Sequence, residues 1–139
     1  MRYFPDTISS VNALQAGGVD VVWGVQNPEL LDDVKEGIAT EVGTTNGEVL
    51  LSMNNARAPF DDPRVRQAVA YAVDRSAAND ILWNGMAKDT GGAPIPPTDP
   101  WFEGKHYYDH DPEKARRLLT EAGAEGAEIT LTTPTLPYA

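Results

Sequence analysis

Apolar and polar positions along the chain follow two periods. Val65, Ala68, Val69, Ala72 and Val73 recur at helical spacing behind Asp62-Pro63. An aspartate before a proline is an N-cap followed by a first helical residue that has no N–H to leave unsatisfied. The spacing predicts one helix from Pro63 through Ile81 and Leu82 to near Gly85, with a small apolar face able to press closely on a neighbouring layer. The same device recurs. Asp6 caps a stretch whose Ile8, Val11 and Leu14 face inward, with Gly17 as the stop. Asn27-Pro28 opens a second helix with Leu30, Leu31 and Val34 on its face, ended by Gly37. Asp111-Pro112 opens a last one carrying Ala115, Leu118, Leu119 and Ala122, stopped at Gly123.

Between these helices lie short β-rich runs. Arg2–Phe4, Val19–Trp23, Glu48–Met53 and Glu128–Thr132 read as strands, and 38–44 as extended. Asn46-Gly47 is a turn signal. Strands alternating with helices at these lengths imply crossover connections and parallel pairing, hence an α/β class with a mixed sheet and flanking helices. The stretch 85–101 is a loop with Gly91-Gly92 and four prolines, Pro94, Pro96, Pro97 and Pro100. Its Pro-Ile-Pro-Pro core favours polyproline II, read as a rigid surface loop rather than a docking motif.

Composition narrows the function classes. At 139 residues the chain fits one domain. Eleven basic against 21 acidic residues give a net charge of −10, which argues against nucleic acid or anionic lipid as a partner. The absence of cysteine excludes disulfides and thiolate metal sites. No apolar run approaches the ~20 residues of a membrane span. Met1 leads straight into a strand candidate without the basic and apolar regions of a signal peptide.

The search for reactive groups returns little. No Gly-x-Ser-x-Gly elbow, phosphate-cradling loop or dinucleotide fingerprint occurs. Asp61, Asp62 and Asp74 could be grouped for acid–base work, but Asp62 serves as a cap and Asp74 has arginines to pair with. Arg64, Arg66 and Arg75 are read as surface ion-pair partners rather than an anion site. His106 and His110, with Asp109 and Asp111, invite a metal reading. Their four-residue spacing shares a face only within a helix, and the Asp111-Pro112 cap places them before one, so loop histidines are expected and no metal.

The run Pro59-Phe60-Asp61-Asp62-Pro63-Arg64-Val65-Arg66-Gln67-Ala68-Val69-Ala70-Tyr71-Ala72-Val73-Asp74-Arg75 resembles the signature of the bacterial extracellular solute-binding proteins of family 5. Leu14–Asp20, Leu51–Asn54 and Tyr108–Gly123 agree with it in order and spacing. The resemblance implies an internal fragment of a two-lobed fold of the periplasmic-binding-protein type II kind. Residues 1–53 would then be the terminal part of lobe I and 54–139 the opening of lobe II, with Asn54 and Asn55 at the hinge. It implies no catalysis and no cofactor. The implied partners are a di- or oligopeptide ligand in an interlobe cleft and the permease subunits of an ABC importer, outside the cytoplasm.

Ligands of open α/β sheets sit beyond the carboxyl ends of strands, so Thr133, Pro134, Leu136 and Tyr138 are candidate contacts. Dipeptide-type members carry an arginine in that loop, whereas this chain has Leu136 and keeps Tyr138. Met86, Lys88 and Ile95 form a second candidate surface. Other readings are a nickel- or oligosaccharide-binding member of the same family, the ligand-sensing domain of a regulator and, more remotely, an enzyme. Unpaired sheet edges would also let the fragment self-associate.

Overall fold

The computed structural model describes residues 1–43 and 49–133. Within them lie five helices: α1 (Thr7–Gln15), α2 (Glu29–Asp32), α3 (Pro63–Ala72), α4 (Arg75–Trp83) and α5 (Pro112–Ala122). Among the described residues there is no strand, which overturns the expected mixed sheet. The described parts of Arg2–Phe4, Val19–Trp23, 38–44, Glu48–Met53 and Glu128–Thr132 run without regular structure. A strand is completed by its neighbour, because half its backbone donors and acceptors point sideways and need a partner ladder. These segments carry β-type side chains but gain no such neighbour. Their apolar groups face outward instead, Val21 78% and Trp23 93% exposed, with Leu50, Ile129 and Leu131 likewise open.

The helices begin where the caps place them. The Asp6 carboxylate accepts from Ser9 N–H at 2.6 Å, Asp62 from Arg64 N–H at 2.8 Å and Asp111 from Lys114 N–H at 2.8 Å. At the far end of α5, Gly123 is left-handed (φ 65°), and Ala124 N–H reaches Leu119 O at 2.9 Å, closing the helix.

Two predicted helices differ from expectation. The second is a single turn without a side-chain cap, the Asn27 side chain donating instead to Glu29 Oε1 at 3.1 Å. The helix expected over 63–84 is two. Val73 turns extended (ψ 117°), and Asp74 caps a fresh start by accepting from Ala77 N–H at 2.9 Å. An aspartate inside a helical pattern competes for backbone N–H groups, and here that competition ends α3.

The packed centre is α3 against α5. Val65 and Ala68 of α3 and Ala115 of α5 are buried, and Ala68 retains 1% exposure, so the two backbones approach over small side chains. Their ends are tied in antiparallel register. Arg64 Nη1 at the start of α3 donates to Glu121 O near the end of α5 at 2.7 Å. Asp111 N–H at the start of α5 donates to Tyr71 O near the end of α3 at 2.9 Å. Val11, on α1, is buried as well.

So small a core leaves much surface open. The chain exposes 10549 Å². A compact monomer of its 15.0 kDa would expose about 7,000 Å², so roughly a third of the present surface is excess. Val65→Ala is expected to destabilise the chain by roughly 1–3 kcal/mol, and Asp111→Ala by about 1 kcal/mol. Urea titration followed by circular dichroism at the helical band checks both.

Candidate functional site

The long connection between α4 and α5 is fastened to the helices by polar contacts that build the candidate site. α4 ends with Asn84 left-handed (φ 48°) and Gly85 at φ 73°. Asn79 holds the turn that follows, donating to Ala87 O at 3.1 Å and accepting from Ala87 N–H at 3.0 Å. This paired bond fixes the stretch carrying Met86 and Lys88.

Arg75, the first residue of α4, is the next anchor. Its Nε donates to Asp89 Oδ1 at 2.8 Å and its Nη1 to Tyr108 O at 2.6 Å, drawing both ends of the connection to one helix terminus. Asp89 Oδ1 also accepts from Gly91 N–H at 2.9 Å, and Gly91 O accepts from Tyr107 N–H at 2.9 Å. Gly91 is required there. Its φ is +64°, and a Cβ would stand 2.7 Å from Lys105 O and 2.9 Å from His106 Cα, both backbone atoms.

Tyr108 packs edge-on against Tyr71 of α3, with ring centroids 5.2 Å apart. Lys114 of α5 lies 4.1 Å from the Tyr71 ring centre and donates to its hydroxyl at 2.7 Å. The connection is thereby joined to α3, α4 and α5. Burial works to raise the Asp89 carboxyl. The hydrogen bonds from Arg75 and Gly91 N–H, with the Arg75 and His106 charges, outweigh it and hold the group below its ordinary value of 3.8.

Of the sequence-derived contacts, Met86 and Lys88 are exposed in the turn after α4, and Ile95 is half-buried. Ile95 lines a cavity of about 220 Å³ with Pro94, Trp101, Phe102 and Tyr107, whose walls include neither Met86 nor Lys88. Thr133 is exposed, and Pro134, Leu136 and Tyr138 lie outside the described residues. Asn54 and Asn55 are exposed in a turn where Asn54 Oδ1 accepts from Ala56 N–H at 3.1 Å. A wider groove of about 750 Å³ lies where the start of α3 meets the end of α5, between Pro59, Arg64 and Gly123.

The acids and arginines at the start of α3 are committed to structure. Arg64 grips Asp62 at 2.6 Å, and its hydrogen bonds hold that carboxyl below the ordinary range. Arg66 donates to Phe60 O at 2.7 Å. Asp61 Oδ1 accepts from Asp62 N–H at 3.1 Å. The two histidines face different carboxylates, and among the described residues no group of three His, Asp or Glu side chains is placed to hold a metal ion. Among those residues no helix is long and apolar enough to cross a membrane. Sequence reasoning gives Arg75 as an ion-pair partner but misses Asp89 and the requirement for Gly91. Asp89-Thr90-Gly91 carries the signature of an Asp side chain bonding the backbone two residues on. The Arg75–Asp89 bond, across 14 residues, has no local signal.

Gly91→Ala is expected to cost roughly 1–3 kcal/mol, since the methyl meets backbone rather than a yielding side chain, and equilibrium unfolding measures it. The lowered carboxyls give an acid limb. Their stabilisation is complete above 3.8 and is lost as the pH falls below that, through their folded values. Thermal melts between about pH 5 and pH 2 should fall monotonically, and Asp89→Asn should flatten part of that slope.

Comparison with known proteins agrees with the motif order. A family model described as "Bacterial extracellular solute-binding proteins, family 5 Middle" matches residues 1–138. Heme-binding protein A of Haemophilus influenzae is 35% identical over 125 residues, 86% of this chain and 22% of that protein. Glutathione-binding protein GsiB of Salmonella choleraesuis is 39% identical over 82 residues, 58% of this chain and 16% of that protein. Its counterpart in Escherichia coli K12 is 40% identical over 73 residues, 52% of this chain and 14% of that protein. The aligned residues thus span 14% to 22% of these curated relatives. No solved structure matches. With the proline-started signature helix, its capped partner α5 and a family match over almost every residue, the chain belongs to the bacterial extracellular solute-binding proteins of family 5.

Proposed function

We propose that this chain is part of the substrate-binding component of an ABC importer that takes up peptides outside the cytoplasm. The observation that carries the reading is the family match over residues 1–138. The peptide assignment adds that several of the relatives are glutathione-binding proteins, glutathione being a small peptide. The complete protein closes two lobes on its ligand and hands it to the permease. The closing equilibrium is biased by the affinity difference between open and closed states. Residues 1–53 belong to the first lobe and 54–139 to the second, with the turn at Asn54 and Asn55 between them. The protein binds and does not catalyse; Asp61, Asp62 and Asp74 are occupied as caps and pairing groups.

In this reading Met86, Lys88, Ile95, Thr133, Pro134, Leu136 and Tyr138 contact the ligand, and α3 with α5 stiffens the second lobe behind the α4–α5 connection. The excess surface supports it. A chain about half again as exposed as a compact monomer is suited to burial against further protein. The same open apolar segments make self-association the expected behaviour of the isolated chain at high concentration.

A second reading is heme as the ligand, favoured because heme-binding protein A aligns over 86% of the chain. Titration calorimetry of the protein encoded by the complete gene separates the two, using glutathione, a set of di- to pentapeptides and hemin. Saturable peptide binding is expected, with no micromolar peptide affinity in the 139-residue chain alone. A Soret shift with hemin and no heat with any peptide would replace the peptide reading.

A further inference from the structure

The α4–α5 connection runs out along 93–95 and back along 101–107, and its two legs are fastened at both ends. At the near end Tyr107 N–H donates to Gly91 O at 2.9 Å. At the far end Asp99 N–H donates to Pro96 O and Phe102 N–H to Asp99 O, each at 3.0 Å, and Trp101 N–H donates to Asp99 Oδ1 at 2.8 Å. Between these ends the first leg has little with which to join the second. Over 94–97 only Ile95 carries an N–H, because Pro94, Pro96 and Pro97 have none. The legs part there around the cavity of about 220 Å³, walled by Pro94, Ile95, Trp101, Phe102 and Tyr107. Trp101 is 81% exposed and Tyr107 51%, so much of each ring meets solvent. Glu103 and Lys105 complete the rim and are paired with each other.

We propose that this cavity is a specificity-determining pocket for one uncharged aromatic side chain of the peptide ligand, of the phenylalanine or tryptophan kind. The proposal rests on the peptide reading above and adds which side chain the α4–α5 connection selects. Size sets the first limit. An apolar cavity of ~150 Å³ holds a benzene ring, so about 220 Å³ admits a phenyl or an indole. Drug-sized ligands fill ~300–1,000 Å³, so a porphyrin is too large for it. The walls set the second. Rings meeting Trp101, Phe102 and Tyr107 edge-on or offset attract one another beyond the area they cover. Covering the open indole of Trp101 also takes apolar surface out of water. Charge sets the third. Glu103 and Lys105 satisfy each other, so a charged side chain entering the pocket would leave water without a free partner at the rim. Because both ends of the loop are already fastened, the pocket stands before the ligand arrives, and little ordering is left to be done on binding.

Titration calorimetry of the protein encoded by the complete gene tests the pocket, using di- to pentaalanine and the same peptides with one alanine replaced by phenylalanine. At one position phenylalanine should tighten binding about ten- to hundredfold over the all-alanine peptide. Ile95→Trp, which fills the cavity with a ring of its own, should bring that ratio to within about twofold of unity. Trp101→Ala should lower it about three- to tenfold. The ratio is the readout because a general disturbance of the loop weakens both peptides alike and leaves it unchanged. Peptides bound without a preference for phenylalanine overturn the pocket while the peptide reading stands, as does a ratio unchanged in Ile95→Trp. Should that variant fail to fold, an unchanged ratio in Trp101→Ala decides in the same way. No heat with any of these peptides overturns the peptide reading and the pocket together.

Discussion

The contact on which the other features depend is the close approach of α3 and α5. The residues fully buried there, Val65, Ala68 and Ala115, are small. Their smallness brings the two backbones near enough for end-to-end bonds, Arg64 to Glu121 O and Asp111 N–H to Tyr71 O. Packing and polar ties support one another: the ties fix the register that keeps the alanines facing, and the alanines keep the ties in range. A bulky residue at Ala68, 1% exposed, would separate the helices and stretch both ties.

From this pair the α4–α5 connection is suspended. Tyr71, inside α3, bonds Asp111 through its carbonyl, Lys114 through its hydroxyl and Tyr108 through its ring edge. Arg75 then reaches from α4 to Asp89 and Tyr108 O. The loop with the candidate ligand residues is held by polar bonds to helix ends rather than by burial of its own. Such a loop opens more readily than the helices beneath it.

The arginines have a common duty. Arg64, Arg66 and Arg75 each donate to a backbone carbonyl, of Glu121, Phe60 and Tyr108. A guanidinium can serve a carboxylate and a carbonyl together because its donors form a rigid fork. Reading them as ion-pair partners catches half of this, the pairs with Asp62 and Asp89. The carbonyl half depends on where distant chain lies.

The sequence by itself determined the local events. Caps at Asp6, Asp62 and Asp111, the stop at Gly123 and the small face of the signature helix follow from bonds within a few residues, so their signals are contiguous. It also fixed the family through ordered motifs. Tertiary structure alone decided whether β-type segments become strands, because a strand needs a neighbour's backbone, and segments such as Val19–Trp23 have none among the described residues. It also decided the break at Asp74 and the meeting of Arg75 with Asp89. Each turns on competition between partners far apart in the chain, and spacing carries no record of which partner wins.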